Sequence, residues 1–188
     1  MKIEKWINYI SNRKTKTFWI ALLLMFSAAL LMRPSSTCLT TSSTPKAIVD
    51  LELAFDQQEA LRIKEVWSAN DCSNSLALSS NGLEAAMVNI VLDFPFLVAY
   101  TIFLIVLIVL TRSKDLLKDS MTVFLIYAAF LAGLLDVIEN ILMIFFLRMN
   151  QIPSYTFAVA ASLKFGIILL LIIAIIWRLV RLMIPSKG

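Results

Sequence analysis

Four stretches of this chain, residues 18–32, 85–110, 121–147 and 155–179, stay apolar for longer than a soluble core requires. A membrane-crossing helix needs about 20 such residues, with about 17–25 usual. The last three stretches reach that length even with a few polar residues inside. The first is short, but Thr15 to Thr17 and Arg33 at its edges let 17–33 cross. Basic residues precede it, as in a secretory signal, yet "ALLMRPSS" offers no small-x-small cleavage site, so it reads as a retained anchor. The pattern predicts spans over 17–33, 85–111, 121–147 and 155–180. Turns at 112–120 ("RSKDLLKD") and 148–154 ("RMNQIPS") are short enough to make consecutive helices antiparallel neighbours.

Outside the spans the period changes. In residues 1–16, Ile3, Trp6, Ile7 and Ile10 follow i, i+3, i+4, i+7. That is an amphipathic helix fit to lie on a lipid surface, or else a basic tail that only enforces orientation. Residues 34–84 form the one sizeable segment outside the bilayer. It opens as a Ser/Thr/Pro loop, "RPSSTCLTTSSTP". In "AIVDLELAF", Val49, Leu51, Leu53 and Phe55 alternate with Asp50, Glu52 and Ala54, which suggests a short strand or the first turn of a helix. "DQQEALRIKEVW" then carries Asp56 as N-cap with Glu59 three residues on, a capping box, and sets Ala60, Ile63 and Trp67 on one helical face. This segment predicts a small cap on the bundle, or a lid over a site beneath it.

Composition agrees with the pattern. Hydrophobic residues make up 60% of 188 and charged residues 16%, with a mean hydropathy of +0.83; soluble domains lie nearer half and a quarter. The net charge of +4 reads as a topology signal. Lys2, Lys5, Arg13, Lys14, Lys16, Arg112, Lys114, Lys118, Arg178, Arg181 and Lys187 fall on one side of a four-span chain. That excess predicts both ends, including the tail 181–188, in the cytoplasm of a cell whose inner or plasma membrane holds the protein. Nothing in it suggests nucleic acid. Cys38 and Cys72, the two cysteines, share the outer segment, where an oxidising compartment permits a bridge. No C-x-x-C pair accompanies them, which argues against a redox enzyme.

The informative residues are the polar ones inside the spans. Asp136, Glu139 and Asn140 interrupt the third, and each central acid costs roughly 2.5–3.5 kcal/mol on insertion scales. Asn89, Asp93 and Tyr100 share one face of the second with Phe96, and Lys164 is the charge within the fourth. At about 1.5 Å per residue, Asp93, Asp136, Glu139 and Lys164 all lie roughly 12–17 Å below the outer end of their spans. Lipid cannot solvate such groups, so they must face the interior and pair. On the cytoplasmic side of them, Ala129, Ala132 and Gly133 form a small-residue stripe that lets another helix approach closely.

Absences narrow the chemistry. The chain has no His, which removes Ser-His catalysis and His-metal ligation, and it has no P-loop, G-x-G-x-x-G or G-x-S-x-G. No catalytic residue, cofactor or metal is assigned. An all-oxygen hard-cation site from Asp93, Asp136, Glu139 and Asn140 is disfavoured by Lys164 beside it. An enzyme using paired carboxylates is the weakest reading. The favoured one is an all-α, four-helix membrane bundle with a small extracytoplasmic cap, binding a small amphiphile or lipid whose head meets Lys164, Asp93 and Glu139. A proton-linked transporter, or an accessory subunit whose polar cluster only fixes packing, stands as alternative. The implied partners are the bilayer, that amphiphile, and further copies of the chain.

"LELAF", a helix ending near Trp67, "LDFPFLVAY", "AGLLDVIEN" and "LKF" together resemble a recurrent group of small, uncharacterised bacterial four-span membrane proteins over about residues 47–175. The resemblance implies a shared architecture and polar centre at Asp93, Tyr100, Asp136, Glu139, Asn140 and Lys164. It carries no activity.

Overall fold

The computed structural model describes residues 14–73, 79–112, 119–149 and 152–183. Six helices follow in order: α1 (Lys14–Leu39), α2 (Ile48–Glu52), α3 (Gln57–Ala69), α4 (Gly82–Leu110), α5 (Asp119–Met149) and α6 (Ser154–Met183). Four of them, α1, α4, α5 and α6, are long and apolar enough to cross a membrane. The chain is therefore an all-α bundle, and no strand occurs among the described residues. The amphipathic pattern of 1–13 lies outside them, as do most of the turn 112–120 and of the tail 181–188.

Neighbours in the bundle are sequential: α1 packs along α4, α4 along α5, and α5 along α6. Two apolar cores stack along its length. One joins the cap to the near ends of the long helices through Leu39, Leu51, Trp67, Ile90, Met143 and Phe157. The other fills the far half through Leu97, Leu104, Leu125, Ala129 and Leu171. At the far end, buried Arg178 donates from Nη1 to the Ile108 carbonyl at 3.1 Å and from Nη2 to Thr122 Oγ1 at 3.4 Å. It thereby ties α6 to α4 and α5.

The first long helix outruns its expected limit of 33. Residues 33–39, read as loop, continue α1, and their hydroxyls bond back along the helix. Ser35 Oγ donates to the Met32 carbonyl and Thr37 Oγ1 to the Arg33 carbonyl, both at 2.9 Å. Serine and threonine make such bonds where a helix is otherwise secured. Here α4 secures it: Asn89 Nδ2 donates to Ser35 Oγ and Ser36 Oγ, each at 2.9 Å.

Of the two readings of the segment 47–55, strand or helical turn, the structure takes the second: Ile48–Glu52 form α2, a single turn, and 53–55 leave it without regular structure. No other strand is present among the described residues to pair with a strand there, and a lone strand leaves its backbone donors and acceptors unsatisfied. The helical turn satisfies them locally, and the Lys46 amide donates to Asp50 Oδ2 at 2.8 Å. Ala47 enters this turn at φ 54°, a left-handed conformation that is costly for a residue with a Cβ. At α3, Asp56 caps the first turn by accepting from the Gln58 amide at 3.1 Å. Glu59 bonds Arg62 at 2.6 Å on the surface.

The cap is tied to the long helices at several points. Cys38 and Cys72 form a disulfide with a Cα–Cα distance of 5.8 Å. Trp67, wholly buried, donates from Nε1 to the Leu39 carbonyl at 3.1 Å. On the other flank the Ser154 amide donates to Gln57 Oε1 at 2.7 Å. Gly82 lets the start of α4 slide under α3, since a Cβ there would lie 2.6 Å from the Trp67 carbonyl oxygen.

Candidate functional site

Between the two apolar cores lies a polar layer built from four elements. Its centre is Lys164 of α6, which is 5% exposed. The ammonium meets Glu139 Oε2 at 2.6 Å and Asp136 Oδ1 at 2.8 Å, both from α5. A third carboxylate comes from outside the spans: Glu52 Oε2, at the end of α2, lies 3.8 Å away. Asp136 and Glu139 are one helical turn apart and so share a face of α5, which is how a single helix brings two acids to one amine.

α4 closes the layer from the other side. Tyr100 donates its hydroxyl to Asp136 Oδ2 at 2.8 Å, and its ring rests on Phe96 with centroids 5.6 Å apart. Both oxygens of Asp136 are thus engaged. Asn140 Nδ2 donates to Asp93 Oδ2 at 2.6 Å, which joins Asp93 to the layer through an amide; no ion pair links it to Lys164 among the described residues. The Lys164 ammonium also sits 4.7 Å from the centre of the Phe165 ring, within cation–π range. Close packing of α4 on α5 makes these bonds reachable. A Cβ at Gly133 would lie 2.7 Å from Thr101 Oγ1.

Of the residues singled out in the sequence, the structure gathers Tyr100, Asp136, Glu139 and Lys164 at one point, with Asp93 and Asn140 beside them. Asn89 is not among them. It shares their helical face but turns to α1, where it bonds Ser35 and Ser36. Glu52 is the member that sequence reasoning left out. Its one signal was its position between Leu51 and Leu53, an acid flanked by apolar residues in a segment due to be buried.

The electrostatics are unbalanced. Four carboxyl groups, from Glu52, Asp93, Asp136 and Glu139, face one ammonium. Two like charges about 4 Å apart repel by about 4 kcal/mol at an effective dielectric near 20, so the layer cannot hold every acid ionised without large cost. Burial pushes the Glu52 carboxyl above its ordinary value of 4.5, an effect that Lys164 offsets only in part. Glu139 Oε1 is buried with no hydrogen-bond partner of its own.

These features define a multi-pass helical membrane protein with a buried carboxylate–lysine centre under an extramembrane cap. No family model, curated protein or solved structure matches the chain.

Proposed function

We propose that the polar layer is the working part of this membrane protein, and that it takes up protons from the side of the bilayer on which the cap lies. The observation that supports this is the convergence of Glu52, Asp136 and Glu139 on Lys164, which leaves more carboxylate than one amine can neutralise. A centre of that kind attracts positive charge. An anionic amphiphile head at Lys164 would add to the excess, so the layer favours a proton. Glu52 makes the uptake consequential, because it is the one acid in contact with Lys164 that belongs to the cap. Its protonation state sets how strongly α2 is held against α6.

The basic residues clustered at 2–16, 112–118 and 178–187 support an orientation with both ends in the cytoplasm and the cap outside, in a cell membrane. The polar centre would then sample the outer medium. Net transport is a weaker reading: beyond the layer α4, α5 and α6 are packed with Leu104, Leu125 and Leu171, and Arg178 closes the far end. The amino-acid pattern shared with small four-span bacterial proteins fits the same account, with the polar centre as the common element.

Infrared difference spectroscopy of the purified protein between acidic and neutral buffer tests the proposal. A protonated-carboxyl band should grow in as the buffer is acidified, and Glu52→Gln should shift or remove it. If no such band titrates, or if the titrating band is unchanged in Glu52→Gln, the layer is a fixed packing device and the proposal fails. Vesicles loaded with a pH-sensitive dye separate transport from uptake: a flux abolished by Asp136→Asn would establish transport, and its absence would leave uptake alone.

A further inference from the structure

We infer a second site, independent of the polar layer, for a phospholipid with a phosphoethanolamine head. An open groove of about 550 Å³ runs between the start of α4 and the end of α5, lined by Leu83, Glu84, Met87, Val88, Leu147 and Arg148. That volume is within the range of small-molecule sites, about 300–1,000 Å³. Its floor and its rim differ in character. Met87, Val88 and Leu147 supply the apolar floor, and Glu84 and Arg148, both exposed, supply one charge of each sign at the rim.

The groove's depth selects a lipid. α4 begins at Gly82 and α5 ends at Met149, so Glu84 and Arg148 lie within about 3 Å of their helix ends along the axis. Head groups occupy roughly the outer 5–8 Å on each face of a bilayer whose hydrocarbon core is about 30 Å thick. Glu84 and Arg148 are therefore at head-group depth, while Met87 and Val88, about one turn deeper, meet the first methylenes of an acyl chain.

The pair of charges selects the head. Arg148 offers the planar donor fork that suits a phosphate. Glu84 offers a carboxylate, and its position is fixed: the Ser80 amide and hydroxyl donate to its Oε2 at 2.8 and 2.7 Å. No ion pair joins Glu84 to Arg148 among the described residues, which leaves one charge of each sign at the groove's rim for a zwitterionic head. A phosphoethanolamine carries an anion and, two carbons on, an ammonium with three donors. A phosphocholine has the charge without the N–H donors, and a phosphoglycerol has no cation for Glu84.

Native mass spectrometry of the full chain in mild detergent, with phosphatidylethanolamine, phosphatidylcholine and phosphatidylglycerol in equal amounts, gives the test without any variant. Phosphatidylethanolamine should be retained about tenfold over either competitor, as expected for one added charge-assisted hydrogen bond. Arg148→Ala should lose retention of all three. Glu84→Gln, which keeps an oxygen for Ser80, should keep phospholipid but lose the preference. Soluble glycerophosphoethanolamine, which has no acyl chains, should bind far more weakly. Equal retention of the three lipids, retention indifferent to Arg148→Ala, or tight binding of the soluble head alone would each overturn the inference. None of these outcomes bears on proton uptake at Lys164.

Discussion

At the scale of single residues, Glu52 carries the most exposed consequence of the account. Its folded-state proton affinity is raised by burial, so the folded protein holds this proton more tightly than the unfolded chain does. The stability it confers is then complete below its ordinary value of 4.5 and is lost as pH rises above that value. Thermal melting in detergent should show a midpoint that falls as pH increases from about 4.5 toward neutrality, and Glu52→Gln should flatten that slope. A midpoint that rises over the same window would contradict the assignment. Lys164, Asp136 and Glu139 could be read from the sequence, because a charge inside an apolar run has few places to go and its depth follows from helical rise. Glu52 could not. It sits in a segment whose height over the membrane no periodicity fixes, and whose alternation suggested a strand. Asn89 failed for the opposite reason: helical spacing gave its face correctly, but a face that wide touches two neighbours, and α1 took it.

The elements show how close packing serves the site. α4 and α5 meet where Gly133 faces Thr101, with 2.7 Å between the threonine oxygen and the place of a Cβ. Gly133→Ala should therefore push the helices apart and destabilise the bundle by about 1–3 kcal/mol, the usual cost of overpacking. Gly166, in α6, has nothing within 4 Å of such a Cβ, so Gly166→Ala should be neutral or slightly stabilising through helix propensity. Denaturation of both variants in the same detergent makes the comparison internal. Equal effects would mean that α4 and α5 are not so closely apposed. The long helices were legible because each needs little beyond sustained apolarity. Their ends were less so: the hydroxyl-rich stretch after Arg33 looked like loop, and became helix because α4 supplies Asn89 to bond it.

For the whole molecule, the cap is the part whose attachment matters. The Cys38–Cys72 bridge closes a loop with a sequence separation of 34, which chain-entropy reasoning values at about 2–4 kcal/mol. Reduction should lower the melting midpoint and increase gel mobility differences between reduced and oxidised chain; unchanged behaviour would mean the thiols are not bridged. Orientation has its own check. With both natural cysteines bridged, a Ser42→Cys variant carries one reactive thiol at an exposed position of the cap. A membrane-impermeant maleimide should label it in intact cells, and labelling only after permeabilisation would place the cap inside. The charge bias that predicts this side is a property of the chain as a whole, legible in composition alone.

Lys164 and the acids of α5 neutralise one another inside the bundle. A double-mutant cycle with Lys164→Met and Glu139→Gln, followed by equilibrium denaturation in mild detergent, measures it most directly. Lys164→Met alone should cost about 3–5 kcal/mol, because it strands buried acids. The double variant should cost clearly less than the two singles added together, with a coupling of at least about 1 kcal/mol. Additivity within about 0.5 kcal/mol would show that the two side chains do not meet, and would contradict the account at its root.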